Sequence, residues 1–218
     1  MSETHSYREG AKKMAPLIPA SASFGVAFGV LATTAGMGVL APIVMSAMTF
    51  AGAAQFAAAT VLRDGGSVLT AVAAAVLLNG RYLAISVAIA PAFEGSRLRR
   101  LIESQLIVDE SWAVAQVGGG RIDRRLLIGA GLALFPGWVG GTALGVFGGD
   151  FLGDPMKLGF DGALPALFLA LLLTLTKSRR EVAAAAAGAL IALALLPVAP
   201  AGVPVIAAAA VCLVGLRR

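Results

Sequence analysis

Long apolar runs separated by short polar and basic segments set the reading of this chain. After a polar stretch at 1–13, apolar runs occupy residues 14–35, 39–62, 67–93, 126–147, 159–176, 182–196 and 204–216. A helix needs about 20 apolar residues to cross a hydrocarbon core ~30 Å thick. The pattern therefore predicts an all-α, polytopic helical integral membrane protein with about six to seven transmembrane segments. A β-barrel would show ~10-residue segments alternating in and out, and no such segments occur. Residues 1–13 read as a cytoplasmic polar tail and 14–218 as a single transmembrane domain.

The run at 67–93 is interrupted at its middle by Leu77-Leu-Asn-Gly-Arg-Tyr82. Asn-Gly favours turns and breaks helices. Asn79 and Arg81 also carry donors to a depth where unpaired polar groups are costly. The run either crosses once as a kinked helix or folds as a re-entrant hairpin whose halves are 67–78 and 82–93. Arg97, Arg99 and Arg100 favour the hairpin, because a single crossing from an inside turn at 63–66 would leave them outside. Segment 101–117 keeps both options open. It carries Glu103, Gln105, Asp109, Glu110 and Gln116 on nearly all sides of a helical wheel. It is thus either a span enclosed by protein and water, restoring the parity, or a helix on the membrane surface.

Composition supports a membrane protein: 58% of residues are hydrophobic and 13% charged, against about a quarter charged in a soluble domain. The mean hydropathy is +0.87. A formal net charge of +5 would suit a nucleic-acid partner, but the basic residues sit at segment ends, where the positive-inside rule places them. Arg8, Lys12 and Lys13, then Arg121, Arg124 and Arg125, then Lys177, Arg179 and Arg180, and finally Arg217 and Arg218 read as cytoplasmic. Both termini are then inside, and the loop at 148–158 with Asp150 and Asp154 is outside. The single cysteine, Cys212, gives no disulfide framework or metal quartet. An intramembrane enzyme lacks its machinery here: the one histidine, His5, is in the tail, and neither HExxH nor GxSxG occurs. No cofactor is implied.

Small residues mark helix contacts. Gly25 and Gly29 form a GxxxG pair, and Gly137, Gly141 and Gly145 form a second stripe, both suited to close helix approach. They also align as a weak two-fold internal repeat, in which Phe50-Ala-Gly-Ala-Ala-Gln-Phe matches Phe160-Asp-Gly-Ala-Leu-Pro-Ala. Charge parity makes that repeat parallel, a plan in which a site lies between two bundles.

Among candidate site residues, Gln55 falls in mid-run beside Ser46 and Thr49. It must face the protein interior, as a substrate contact or as a hydrogen bond between helices. Asn79, Gly80, Arg81 and Tyr82 present an arginine and a helix break together, both of which bind carboxylates. Alternatively, Arg81 forms an ion pair with Asp109 or Glu110. A carboxyl group at membrane depth suits a proton carrier, which makes Asp109, Glu110 and Asp161 candidates. Asp161 reads more simply as a cap on its own helix.

Phe50-Ala-Gly-Ala-Ala-Gln-Phe56, Leu78-Asn-Gly-Arg-Tyr82 and Asp109-Glu-Ser111, in this order and spacing, resemble the AzlC family. The likeness runs over residues 16–197. It implies the large subunit of a secondary exporter of branched-chain amino acids (leucine, isoleucine, valine and sometimes methionine) in the bacterial cytoplasmic membrane. It also implies a small AzlD-type membrane subunit as partner. The chain has no P-loop of the GxxxxGK[ST] kind, so any ATP coupling would need another protein; the expected drive is proton antiport. A channel subunit or a non-transporting membrane scaffold are the alternatives. A scaffold would not need Gln55, Asn79, Arg81 and two acids at depth.

Overall fold

Proline placement and capping explain the first element. In the computed structural model, which describes residues 5–118, 120–152, 178–199 and 203–209 with positions 166, 169, 172, 173 and 176, the chain starts as a rod of three pieces. These are α1 (Tyr7–Met14), a 3-10 turn (Ala15–Leu17) and α2 (Ile18–Thr34), together a 28-residue apolar segment. Ser6 Oγ caps it by accepting from Glu9 N–H. Pro16 and Pro19 occupy first-turn positions, where a missing N–H is harmless. Part of the expected tail is thus helix α1.

A second rod, numbered after the elements between, is α9 (Arg124–Leu152), capped by Asp123 Oδ1, which accepts from Arg125 and Leu126 N–H. The two rods run parallel: Tyr7 meets Gly129, Ala22 meets Gly141, and Val30 meets Gly149. Backbone touches backbone along this seam. A methyl group at Gly25 would strike the Trp138 carbonyl, and one at Gly29 the Thr142 carbonyl. Reciprocally, Gly141 faces the Ala22 carbonyl and Gly145 the Val26 carbonyl. The two glycine stripes that align in the sequence are the two sides of one interface.

At the end of the rods that holds Thr33, the chain turns through Gly36 and Gly38, both with positive φ, into α3 (Leu40–Thr49). This helix descends antiparallel to α9, with Ser46 at Thr142 and the Phe50 ring 5.2 Å from Phe135. Phe50 has φ 41° and is left-handed. After it, α4 (Gly52–Arg63) begins.

Next come α5 (Val68–Asn79) and α6 (Arg81–Ile89), extended by a 3-10 turn (Ala90–Ala92) and bent by 40° at Gly80. Ile89 and Phe93 pack with Leu126 and Leu127, at the basic start of α9. Because α5–α6 bends by only 40°, Val68 lies at the opposite end, and Arg63 with it. The pair α3–α4 therefore enters and leaves at one end. Its arms, 10 and 12 residues long, reach ~15 and ~18 Å, about half a hydrocarbon core.

A second excursion enters from the basic end. After α7 (Arg97–Ser104), Leu106 packs on Gly131, and α8 (Asp109–Val114) then returns so that the Ala115 carbonyl accepts from Asp123 N–H. Glu103 anchors the outward limb to Arg124. Of the remaining described helices, α10 (Arg179–Leu195) and α11 (Val203–Ala209) pack together, and α11 touches α5.

Several expectations change. The fold is all-helical as expected, but among the described residues two helices, Tyr7–Thr34 and Arg124–Gly149, are long and apolar enough to cross a membrane, or three with the bent pair. Six to seven are not found among them. The run at 39–62 is a pair of half-helices because the chain reverses at Phe50, a change that hydropathy does not register. The break at 79–82 is a kink, not a re-entrant hairpin: a hairpin's arms would nearly reverse. Segment 101–117 is not a span: it holds the end of α7, the short helix α8 and the turn leading to α9. Arg63 lies opposite the other basic clusters and pairs with Asp64 at 3.2 Å. The segment at 160 that aligns with 50–56 lies outside the described residues, as does Asp161.

The seam is testable by adjacent glycines. Gly141→Ala should destabilise the folded protein by about 2 kcal/mol, as overpacking does, because the Ala22 backbone has nowhere to go. Gly140→Ala, with no atom within 4 Å of its new methyl group, should be neutral or slightly stabilising. Thermal unfolding in detergent compares the two.

Candidate functional site

The two excursions and the kink meet at the middle of α9. The reversal at Phe50 brings Phe50, Gly52 and Ala53 there, the kink brings Arg81 and Tyr82, and the second excursion brings Val108, Asp109 and Glu110. Together with Leu17, Phe24, Leu134 and Trp138 these residues surround a cavity of about 60 Å³. That is room for about two waters at ~30 Å³ each.

The kink has a local cause. Around Gly80 the backbone makes short-range bonds, Gly80 N–H to the Leu77 carbonyl and Leu83 N–H to the Gly80 carbonyl, each 3.1 Å. These tighten the ladder into 3-10 form. Arg81 is thereby set across from Asp109: its Nε donates to Oδ1 at 3.2 Å and its Nη2 to Oδ2 at 2.8 Å. Nη1 also reaches the Leu78 carbonyl at 3.4 Å, and the guanidinium carbon sits 5.1 Å from the Tyr82 ring centre. The two side chains are 22% and 17% exposed, so this bidentate pair is largely removed from water. Of the two sequence readings for Arg81, the ion pair with Asp109 is present, and it is present at the cavity wall.

Gln55 has the other of its two expected roles. It is fully buried, and its oxygen accepts from Ala51 N–H and from Trp138 Nε1, both at 3.1 Å. Its Nε2 donates to Ser46 Oγ at 2.9 Å. Thr142 donates its proton to the Trp138 carbonyl at 2.9 Å, so across the 2.8 Å Ser46–Thr142 contact Ser46 is the donor. The result is a closed ring, Gln55 to Ser46 to Thr142 to Trp138 and back to Gln55. It ties α3, α4 and α9 together at the reversal. Gln55 does not line the cavity; it holds the backbone N–H of Ala51 just before α4, and the N-terminal end of that helix, at Gly52 and Ala53, borders the cavity. The first-turn N–H groups there lack intrahelical partners.

Asn79 and Gly80 likewise shape the kink without reaching the cavity wall, and Asn79 Oδ1 has no hydrogen-bond partner among the described residues. Tyr82, Asp109 and Glu110 do reach the wall, and Asp161 is outside the described residues. Sequence reasoning missed Trp138, Phe50 and Gln105. Gln105 Nε2 donates to the carbonyls of Ala47 and Met48, closing the open end of α3 with a side chain from the opposite excursion. The signal that was available for Trp138 was its indole N–H, a donor that must be satisfied in apolar surroundings.

The cavity joins an arginine, a helix N-terminal end and two carboxylates on a wall that is apolar apart from Ser21 and Tyr82. Such a site suits a small zwitterion with an apolar body. Among the described residues no cluster of metal-binding side chains occurs.

A family model described as AzlC protein matches residues 16–152. An "Uncharacterized membrane protein" of Archaeoglobus fulgidus is 34% identical over 197 residues, covering 89% of this chain and 86% of that protein. "Inner membrane protein YgaZ" of Escherichia coli is 30% identical over 202 residues, covering 85% and 80%. "Branched-chain amino acid transport protein AzlC" of Bacillus subtilis is 27% identical over 158 residues, covering 70% and 62%. No solved structure matches the chain.

Two predictions follow from the polar contacts. Gln55→Ala should cost about 3 kcal/mol, because Trp138 Nε1 and Ala51 N–H lose buried acceptors; thermal unfolding checks it, and Gln55→Glu should recover part of the loss. At the basic end, hydrogen bonds from Arg124, and then from Arg99, hold the Glu103 carboxyl below its ordinary value of 4.5. A carboxylate with a depressed folded-state pKa stabilises above its unfolded pKa, and that contribution fades as the pH falls through the folded value. Unfolding measured from pH 7 downward should therefore lose stability below about pH 4.5, and Glu103→Gln should be less stable at pH 7 with a flatter acid limb.

Proposed function

The chain belongs to the AzlC family, and on that premise we propose that it is the large subunit of a secondary exporter of branched-chain amino acids. The observation that carries this reading is the cavity where Arg81, the N-terminal end of α4, Asp109 and Glu110 converge among Leu17, Phe24, Phe50, Leu134 and Trp138.

A branched-chain amino acid presents a carboxylate, an ammonium and an apolar side chain. Arg81 and the first turn of α4 receive the carboxylate. Glu110 and Asp109 receive the ammonium, and the aromatic and aliphatic wall takes the side chain. In the empty site Asp109 neutralises Arg81. A substrate carboxylate competes for that guanidinium and releases Asp109, so substrate binding and the charge state of the acids are linked. That linkage is the basis for proton antiport, with Asp109 and Glu110 as the carriers.

A whole leucine exceeds the cavity as it stands. Loading it requires the two excursion tips, joined by Gln105 and the α3 carbonyls, to part on one side at a time. Separation at a fixed central site is how alternating access works. The proposed topology has α1–α2, α5–α6 and α9 as three crossings, with the apolar runs near 159–176, 182–196 and 204–216 supplying three more. Six crossings place both termini with the basic clusters inside the cytoplasmic membrane. A small AzlD-type subunit completes the transporter.

Efflux of labelled leucine from cells loaded with a leucine dipeptide tests this, with and without the small subunit. Wild-type efflux should rise with the partner present and fall when the proton gradient is collapsed. Arg81→Ala should reduce it at least tenfold at unchanged protein level, the loss of about 1.4 kcal/mol or more of binding. Efflux no greater than the vector control with both subunits present would overturn the substrate assignment.

A further inference from the structure

We propose that the groove between α6 and α7, at the basic end of the molecule, holds the phosphate headgroup of an anionic phospholipid. The groove measures about 350 Å³ and is separate from the central cavity. Ile89 and Phe93 form its buried floor, and Arg97, Arg100, Leu101 and Ser104 line its other side. The last four recur every three or four residues and so share one face of α7.

The arginines are not used elsewhere. Arg99, on a different face, is committed to Glu103 at 2.9 Å. The guanidinium groups of Arg97 and Arg100 make no hydrogen bond or ion pair among the described residues, and no acidic side chain lines the groove. Two exposed guanidinium groups without an acidic partner in one groove suit a dianion or a phosphodiester.

The apolar part of the groove says which. Ile89, Phe93 and Leu101 would contribute nothing to a soluble phosphate, but they suit the glycerol and upper acyl region of a lipid. Leu101 is 68% exposed, and Leu83 and Val87 on α6 are 75% and 77% exposed, extending an apolar track from the groove along α6. Helix α7 itself exposes Leu98, Leu101 and Ile102 beside its arginines, the pattern of a helix lying in the headgroup layer. An anionic headgroup on the arginines with chains along α6 satisfies both features; a zwitterionic lipid would bring its own cation against them.

Binding of phosphatidylglycerol and of phosphatidylcholine with the same chains can be measured on the full chain in detergent, by native mass spectrometry. Phosphatidylglycerol should bind roughly tenfold more tightly or better, and Arg97→Gln/Arg100→Gln should weaken it about thirty-fold, the size expected for two arginines leaving an anionic headgroup. Arg121→Gln, at the same end but outside the groove, should leave binding unchanged, and excess glycerol phosphate should not displace the lipid. Equal binding of the two lipids by wild type overturns the proposal without reference to any variant. So does undiminished binding by the double variant. Displacement by glycerol phosphate would mean a soluble-anion site instead.

Discussion

Everything in this molecule is referred to the backbone contact between α1–α2 and α9. Six glycines, three on each rod, let a carbonyl of one helix lie where a side chain of the other would be: Gly10, Gly25 and Gly29 against Gly129, Gly141 and Gly145. In an apolar medium, helix association depends on this kind of close packing, because burying apolar surface gains little there. The seam fixes the two rods parallel and in register. Its ends define the two ends of the molecule, and its middle, near Trp138, is where every interrupted element arrives.

Interrupting helices at that depth leaves polar groups that must be satisfied inside the protein. The molecule solves this locally at each break. At the reversal after Phe50, the ring of Gln55, Ser46, Thr142 and Trp138 satisfies its members and takes the Ala51 N–H ahead of α4. The last carbonyls of α3 are met by Gln105 from the other excursion. At the kink, Arg81 is met by Asp109. These contacts do different work: the Gln55 ring holds the architecture, while the Arg81–Asp109 pair lies at the cavity wall. Removal of one partner from a buried pair leaves an uncompensated charge, so the Arg81–Asp109 pair holds the kink against the second excursion.

The basic end carries a second kind of order. There Arg124 and Arg99 hold Glu103, closing the root of the inner excursion, and Asp123 caps α9. Arg97 and Arg100 are left on the open face of α7. Charges that serve the fold and charges that face outward are thus adjacent in sequence and separated by helix face.

Much of this was legible in the chain. Span-length apolar runs with charges at their ends determined an all-helical membrane protein. The glycine spacing marked both sides of the central seam, Asn79-Gly80 marked the kink, and Arg81 marked one wall of the cavity, since an arginine within an apolar run must have a partner. Tertiary structure alone decided the rest. Hydropathy is a property of composition and has no direction, so it could not show that the chain turns back at Phe50 or that 103–115 enters and leaves at one end. Nor could it choose between the two roles open to Gln55. Whether a buried amide meets solute or protein depends on which helices bring Ser46, Ala51 and Trp138 around it, and those contacts join positions up to 83 residues apart.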